Sequence, residues 1–307
     1  MSQTKSPRNR TLTVSADEAD SLRRDISTPS MLSYRPMPDD LIVNGDTAGC
    51  LDLLPDAYFD LIILDPPYNI SKDFGRIRFR EMSAADYERY LLSWFDTVCD
   101  KLAPHGSLYM RGDWRCSAAM QRVIERRLTI LNRITWQREK GRGAASNWKN
   151  SAEDIWFAVN NPAHYYFDVD AVKQRHSVRA PYRVDGQPKD WADSPQGRYR
   201  LTYPSNFWND ISVPFWSMPE NTEHPTQKPE KLIAKLILAS SAPGARILDP
   251  FMGSGTTAVV ARKLGRHFTG IEINPEYCLL AAKRLRLAAN SPEIQGYDGT
   301  GFFPRNP

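Results

Sequence analysis

Phe59-Asp60-Leu61-Ile62-Ile63-Leu64-Asp65-Pro66-Pro67-Tyr68 joins a short apolar run to a carboxylate, a proline pair and a phenol. The run is too short for a helix of ordinary length and is rich in isoleucine and leucine, so it reads as a buried strand of a parallel sheet. Asp65 to Tyr68 then lie at the strand's carboxyl edge, where open α/β sheets bind ligands near the point at which strand order reverses. A plainer reading is a strand-ending turn, in which aspartate accepts backbone hydrogens and proline stops the strand.

Each residue type in the tetrapeptide suits work on the exocyclic amine of a nucleobase. Such an amine is a poor nucleophile because its lone pair is delocalised into the ring. It becomes reactive when both hydrogens are held by acceptors that favour a more tetrahedral nitrogen. Asp65 offers a carboxylate oxygen and Pro66 a carbonyl, while consecutive prolines fix φ and remove backbone donors. Tyr68 offers an aromatic face on which an extruded base can stack, a contact of roughly 1–3 kcal/mol per base in single-strand binders.

A second stretch, Arg246-Ile247-Leu248-Asp249-Pro250-Phe251-Met252-Gly253-Ser254-Gly255-Thr256-Thr257, reads as strand, glycine-rich turn and helix start. Helix continues to Leu264 and stops at Gly265, and a further strand, Phe268 to Ile273, carries Glu272 near its end. Glycines that let backbone approach a ligand, followed at a distance by an acidic residue for ribose hydroxyls, form a nucleotide-like cofactor site. No lysine follows the glycines and the three-glycine dinucleotide spacing is absent, so the loop does not read as a phosphate cradle. S-adenosyl-L-methionine, which has adenine, ribose and a charged methionine end but no phosphate, suits it.

With both motifs in one chain, the sequence resembles the amino-methyltransferases of bacterial restriction-modification systems, in the permuted (beta) class where the catalytic motif precedes the cofactor loop. The resemblance spans about Leu41 to Leu285 and includes Asn44-Gly45-Asp46 and His224-Pro225-Thr226-Gln227-Lys228-Pro229. It implies that Asp46 approaches the cofactor adenine and Glu272 the ribose. The segment His224 to Lys228 and the loop at Phe251 and Gly253 would close over the methionine end. The implied cofactor set is Asp46, Asp65, His224, Thr226, Lys228, Asp249, Phe251, Gly253, Ser254, Gly255, Thr256 and Glu272, and the implied catalytic set Asp65, Pro66, Pro67 and Tyr68. No metal is implied. His224 to Pro229 also reads simply as a helix start, since an amphipathic run follows.

The implied fold is α/β: the Rossmann-like, seven-stranded, mostly parallel sheet of class I S-adenosylmethionine-dependent methyltransferases, in permuted order, with an inserted target-recognition region. Read independently, the sequence offers seven strands: Leu41 to Val43, Phe59 to Leu64, Ser107 to Arg111, Arg133 to Gln137, Asp154 to Val159, Arg246 to Leu248 and Phe268 to Ile273. Helical patterns fall between several of them. Ser83 to Asp86 has capping-box spacing ahead of a stripe through Tyr87, Leu91, Trp94, Val98 and Leu102. The expected divisions are a flexible arm over 1–36, a catalytic half over 37–167, the recognition insertion over 168–222, a cofactor half over 223–289 and an irregular tail over 290–307.

Composition bounds the rest. Of 307 residues 41% are hydrophobic, enough for a real core, so disorder of the whole is excluded. No apolar stretch reaches membrane-spanning length and the first residues lack a signal-peptide core, so the protein is expected to be cytoplasmic. Cys50, Cys99, Cys116 and Cys278 form no Cys-x-x-Cys pair, which indicates neither zinc nor a disulfide framework. None follows proline, which counts against the cytosine ring-carbon methyltransferases and favours an amine target. A formal charge of +4 is not diagnostic of nucleic acid.

Basic and aromatic residues interleave between the fifth expected strand and His224: Arg175, Arg179, Tyr182, Arg183, Lys189, Trp191, Arg198, Tyr199, Arg200, Tyr203, Phe207 and Trp208. This mixture suits a nucleic-acid surface, and the resemblance places target recognition there; a loop packed by its own aromatics is the plain alternative. Loops holding Lys72, Arg76 and Arg78, and Arg138, Lys140 and Arg142, would also face double-stranded DNA, with Trp148 as a stacking wall and Trp136 in the core. The expected DNA contacts are these six basic residues, Trp148, Arg183, Lys189 and Arg198. The reaction so implied is methyl transfer to the N6 amine of a flipped adenine. Cytosine N4 is the alternative, and a non-catalytic DNA-binding specificity partner stands in a different class. A cognate restriction endonuclease is a possible companion, and the chain would act as a monomer or homodimer.

Overall fold

The computed structural model describes residues 6–73, 78–138, 146–179, 182–194 and 197–304. Nine strands form one sheet: β1 (Ile26–Ser27), β2 (Leu41–Asn44), β3 (Phe59–Leu64), β4 (Leu102–Gly112), β5 (Thr129–Gln137), β6 (Ala152–Val159), β7 (Phe207–Trp208), β8 (Arg246–Asp249) and β9 (His267–Glu272). Their spatial order is β1-β2-β9-β8-β3-β4-β6-β5-β7. Among the described residues every pairing in this sheet is parallel except the two made by β6, which runs against β4 and β5. All seven expected strands are present, and the two-residue strands β1 and β7 extend the sheet at its edges.

The helices are α1 (Ala16–Arg23), α2 (Thr47–Leu51), α3 (Ala84–Lys101), α4 (Trp114–Ile124), α5 (Glu230–Ser240), α6 (Thr256–Lys263) and α7 (Pro275–Ala288). They cover both faces. Leu61 and Ile63 of β3 join a core with α5, α6 and α7, while Ile62 and Leu64 join another with α3 and α4. Burial on both faces explains the unbroken apolar run of β3. At about 1.5–3 kcal/mol for each fully buried aliphatic side chain, those four residues hold the strand centrally.

The stripe expected in α3 is realised, with Tyr87, Leu91, Trp94 and Val98 buried. Its capping box is only half formed: Ser83 Oγ accepts from the Asp86 backbone N–H at 3.1 Å but donates to the Asp86 carboxylate at 2.6 Å. A complete box occurs instead at Ser15 and Glu18, at the start of α1.

That helix corrects the expectation of a flexible arm over residues 1–36. Leu22 is buried against the α5–α7 core, and Lys283 of α7 donates to Glu18 at 2.8 Å. Arg286 of α7 pairs with Asp25, and β1 adds to β2. Residues 290–304 contain no helix and no named strand, yet Ile294 and Phe302 are buried and Lys231 donates to the Phe303 carbonyl. In the insertion, Gln174–Ser177 pairs antiparallel with Tyr199–Thr202, and Arg183–Val184 with Gln187–Pro188. Its end is anchored by Asp210, whose two carboxylate oxygens each accept from Lys235 of α5 at 2.8 Å.

Gly255 sets the start of α6, with φ at +79° and an added Cβ placed 2.6 Å from the Ala281 Cβ of α7. Left-handed backbone and overlap in a packed core act together in Gly255→Ala, which is expected to lower stability by about 2–5 kcal/mol. Denaturant unfolding measures this, and a loss below 1 kcal/mol, on the order of a surface change, would refute the packing described.

Candidate active site

β3 and β8 lie side by side with Leu61 opposite Ile247 and Ile62 opposite Leu248. The chain therefore leaves both strands at the same edge, and the carboxylate-diproline corner faces the glycine turn across one cleft. The cleft holds about 1080 Å³ including its open mouth. Its lining includes Asp65, Pro66, Pro67 and Tyr68 from one motif and Asp249, Phe251, Gly253, Ser254, Thr256 and Glu272 from the other. His224, Thr226, Lys228 and Lys72 line it too.

Asp65 is the electrostatic centre. Its Oδ2 faces Arg111 Nη2 at 2.8 Å and Lys228 Nζ at 2.9 Å, and its Oδ1 accepts from the Tyr68 hydroxyl at 3.0 Å. Burial by itself raises a carboxyl pKa, but here Arg111 and Lys228 outweigh it and hold Asp65 below its ordinary value. Tyr68 is pushed the other way, well above the usual phenol range, by burial and then by the charges of Asp65 and Glu153. It stays a protonated donor. The Pro67 carbonyl accepts from Tyr87 of α3 at 3.0 Å, which pins the second proline.

On the cofactor side, Glu272 accepts from the Gly253 N–H at 2.9 Å and from the Asn274 N–H at 2.7 Å, and burial raises its pKa. Asp249 accepts from the Phe251 N–H at 3.1 Å and from the Thr257 hydroxyl; burial pushes it up to about 6. Gly253 has φ of +55°, and a Cβ there would come within 2.9 Å of His224 Nε2, so glycine permits the close approach of the two loops. His224 Nδ1 accepts from the Thr226 N–H at 3.3 Å. Burial, and next the charge of Lys228, lower its pKa to about 3, so the imidazole is neutral.

The other expected site residues are placed as follows in the fold. Asp46 is exposed and caps α2, its carboxylate accepting from the Gly49 N–H at 3.3 Å; Thr47, one residue on, lines the cleft instead. Gly255 acts through packing rather than as lining. Arg138 donates to the buried Glu153 at 2.8 Å, so an inward ion pair holds it. Arg183 and Arg198 stack over Trp191, with guanidinium carbons 5.4 and 5.1 Å from the ring centroid. Lys189 is exposed, and Trp148 is 93% exposed. Trp136 is buried, as expected of a strand residue. Arg76, Lys140 and Arg142 lie outside the described residues, and of Arg78 only the backbone is described.

The sequence reading missed Arg111 and Glu153. Arg111 follows the apolar Leu108-Tyr109-Met110 near the end of β4, and Glu153 is the second residue of β6, just ahead of Ile155-Trp156-Phe157-Ala158-Val159. A charged residue at the rim of a buried strand is the signal that could have found both.

A Rossmann-like sheet whose glycine turn and carboxylate-diproline corner share one cleft defines the class, a methyltransferase. The sequence matches the DNA methylase family over residues 59–283, and the chain belongs to that family. It is 34% identical over 254 residues to the DNA adenine methyltransferase YhdJ of Escherichia coli (strain K12), an alignment covering 81% of this chain and 83% of that one. It is 30% identical over 262 residues to the Type II methyltransferase M.HpaI of Haemophilus parainfluenzae, covering 85% and 77%. Among solved structures, an M1.HpyAVI-SAM complex aligns with a TM-score of 0.52 at 26% identity, over 74% of this chain and 89% of that one. The cytosine-N4-specific PvuII DNA methyltransferase aligns with a TM-score of 0.61 at 18% identity, over 84% and 87%, a likeness that bears on the fold alone.

The neutral His224 has a consequence for acid stability. Its ordinary pKa of 6.5 falls to about 3 on folding, so between those values the unfolded chain binds the extra proton and stability falls with falling pH. Asp249, raised from 3.8 to about 6, acts in the opposite sense, since there the folded state holds the proton. The histidine's share is therefore read by difference. In urea unfolding from pH 7.5 down to roughly pH 4, His224→Asn is expected to lose less stability than the wild type; equal losses would contradict a buried neutral imidazole.

Proposed function

We propose that this DNA methyltransferase moves a methyl group from S-adenosylmethionine to the N6 amine of an adenine flipped out of duplex DNA. The observation that carries this reading is the shared cleft: an ionised Asp65 faces the turn of Gly253 and the carboxylate of Glu272. The residues fit that cofactor. Glu272 is held by two backbone donors with lone pairs left for ribose hydroxyls, and Gly253 keeps the loop against His224 without a side chain between them. The SAM bound in the M1.HpyAVI complex supports the assignment.

When bound, the cofactor supplies an electrophilic methyl group on a sulfonium. The chain supplies position and acceptors. Asp65 and the Pro66 carbonyl would hold the two amine hydrogens, drawing the nitrogen lone pair out of the ring and toward the donor. The Tyr68 ring, with Lys228 Nζ 5.2 Å from its centroid, would support the base. Methylation would make the nitrogen acidic, so its proton could pass to Asp65 or to solvent without Asp65 being a strong base. Positioning and a fixed electrostatic field provide most of the rate.

A base within a duplex cannot reach such a cleft unless it is extruded. The exposed Trp148, and the exposed Tyr182, Tyr203 and Phe207 of the insertion, give aromatic faces for contact with the DNA. Aspartate as first residue of the tetrapeptide and the name of YhdJ favour adenine. The Type II name of M.HpaI favours a companion endonuclease at the same sequence. No helix among the described residues is long and apolar enough to cross a membrane.

Expression in a host lacking DNA methylation, followed by sequencing of native DNA for modified bases, is expected to show N6-methyladenine at one recurrent short sequence. N4-methylcytosine instead would overturn the adenine assignment. Asp65→Asn is expected to abolish this mark while retaining cofactor binding in calorimetry; near-normal methylation would remove Asp65 from its role.

A further inference from the structure

Tyr68 carries one hydroxyl proton and faces two carboxylates. Its Oη lies 3.0 Å from Asp65 Oδ1 and 3.0 Å from Glu153 Oε2. The hydroxyl can donate to one of them at a time. While it donates to Asp65, it engages the oxygen that a target amine needs, and Oδ2 already faces Arg111 and Lys228. An incoming N–H would then compete with three resident donors for one carboxylate.

Glu153 is built to relieve that competition. It is 2% exposed, and its backbone is fixed from both sides of β6, with Trp136 opposite it on β5 and Asp154 opposite Gly112 on β4. Arg138 holds the other oxygen, Oε1, at 2.8 Å, which leaves Oε2 aimed at Tyr68. Lys228 Nζ stands 3.9 Å from the same Oε2. A buried charge in an apolar strand is costly unless paired, and the helper here, Arg138, is itself drawn in from the rim to pair with it.

We propose that Glu153 is a positioning residue for methyl transfer, accepting the Tyr68 hydroxyl proton's hydrogen bond when the target amine arrives, so that Asp65 Oδ1 is left to the amine. No covalent step is involved, only a rotation of the hydroxyl from one carboxylate to the other. The proposal rests on the reading of Asp65 as amine acceptor. Glu153 does not line the cleft and acts through Tyr68.

A double-mutant cycle on the full chain tests this, using single-turnover methyl transfer so that product release does not mask the step. Glu153→Gln keeps the shape but lowers the pull on the hydroxyl. Its single-turnover rate is expected to fall roughly 10- to 100-fold, while dissociation constants for cofactor and for duplex DNA change by less than about 3-fold. In a Tyr68→Phe background, where the hydroxyl no longer occupies Asp65 Oδ1, the same substitution is expected to cost less than about 3-fold, since the group it acts on is gone. Should Glu153→Gln not fold, the cycle is run with Glu153→Asp, which keeps the charge but withdraws the oxygen from Tyr68 and is expected to behave alike. A wild-type rate in the single variant overturns the proposal. So does an equal loss in both backgrounds, which would make Glu153 a packing or Arg138-holding residue. An active Asp65→Asn would sink the reading of Asp65 itself; an inactive Asp65→Asn with a normal Glu153→Gln sinks this inference alone.

Discussion

The ion cluster at Asp65 is the constraint on which the site depends. Arg111 comes from the end of β4, Lys228 from the segment leading into α5 and Asp65 from the end of β3, so one carboxylate ties three elements at the carboxyl edge of the sheet. Taking such charges out of water costs several kcal/mol per ion, which is recovered only when the geometry is good and further hydrogen bonds are made. The recovery is uneven. Among the described residues Arg111 Nε and Nη1 have no hydrogen-bond partner, so its strong contact is the one to Asp65. The group placed for chemistry is thus also the counter-ion of a buried guanidinium, and activity and stability at this corner are linked.

Legibility followed the range of the interactions. Strands buried on both faces wrote themselves into the sequence as apolar runs, and both loops of the cleft are contiguous, so their residues could be read together. The edge strands β1 and β7 have two residues each and exist because a neighbouring strand offers them partners. Helix α1 buries only Leu22, so its sequence reads as a polar arm although a full capping box begins it. At the site, Arg111 and Glu153 reach Asp65 and Tyr68 across adjacent strands, far away in sequence. Arg138 shows the same limit: beside a glycine-rich basic loop it reads as a surface cation, and its buried partner is visible only in three dimensions.

In the insertion, some residues of the aromatic and basic mixture pack a small local core and others stay exposed. Trp191 and Trp208 are buried, the first between two arginines and the second beside Lys235 at 4.9 Å from its ring centroid. Arg175 lies between Tyr199 and Phe303 and pairs with Asp298, so it too holds structure together. Tyr182, Tyr203 and Phe207 remain outside. Composition cannot make this division, because guanidinium groups stack on aromatic rings equally well inside a small local core and against a nucleobase.

The choice of aspartate at position 65 follows from its neighbours as well as from its substrate. Two cations converge on Oδ2, one of them fully buried. A carboxamide there would offer a single acceptor oxygen and turn an NH2 toward either the cations or the amine, and a serine hydroxyl would be too short to meet both strands' partners. Either exchange leaves the buried Arg111 without its counter-charge, a cost of about 3–5 kcal/mol for a broken buried pair. A relative with a different first residue would therefore be expected to differ at the position of Arg111 too. Asp65, first residue of the tetrapeptide, and Arg111, near the end of β4, are one electrostatic unit.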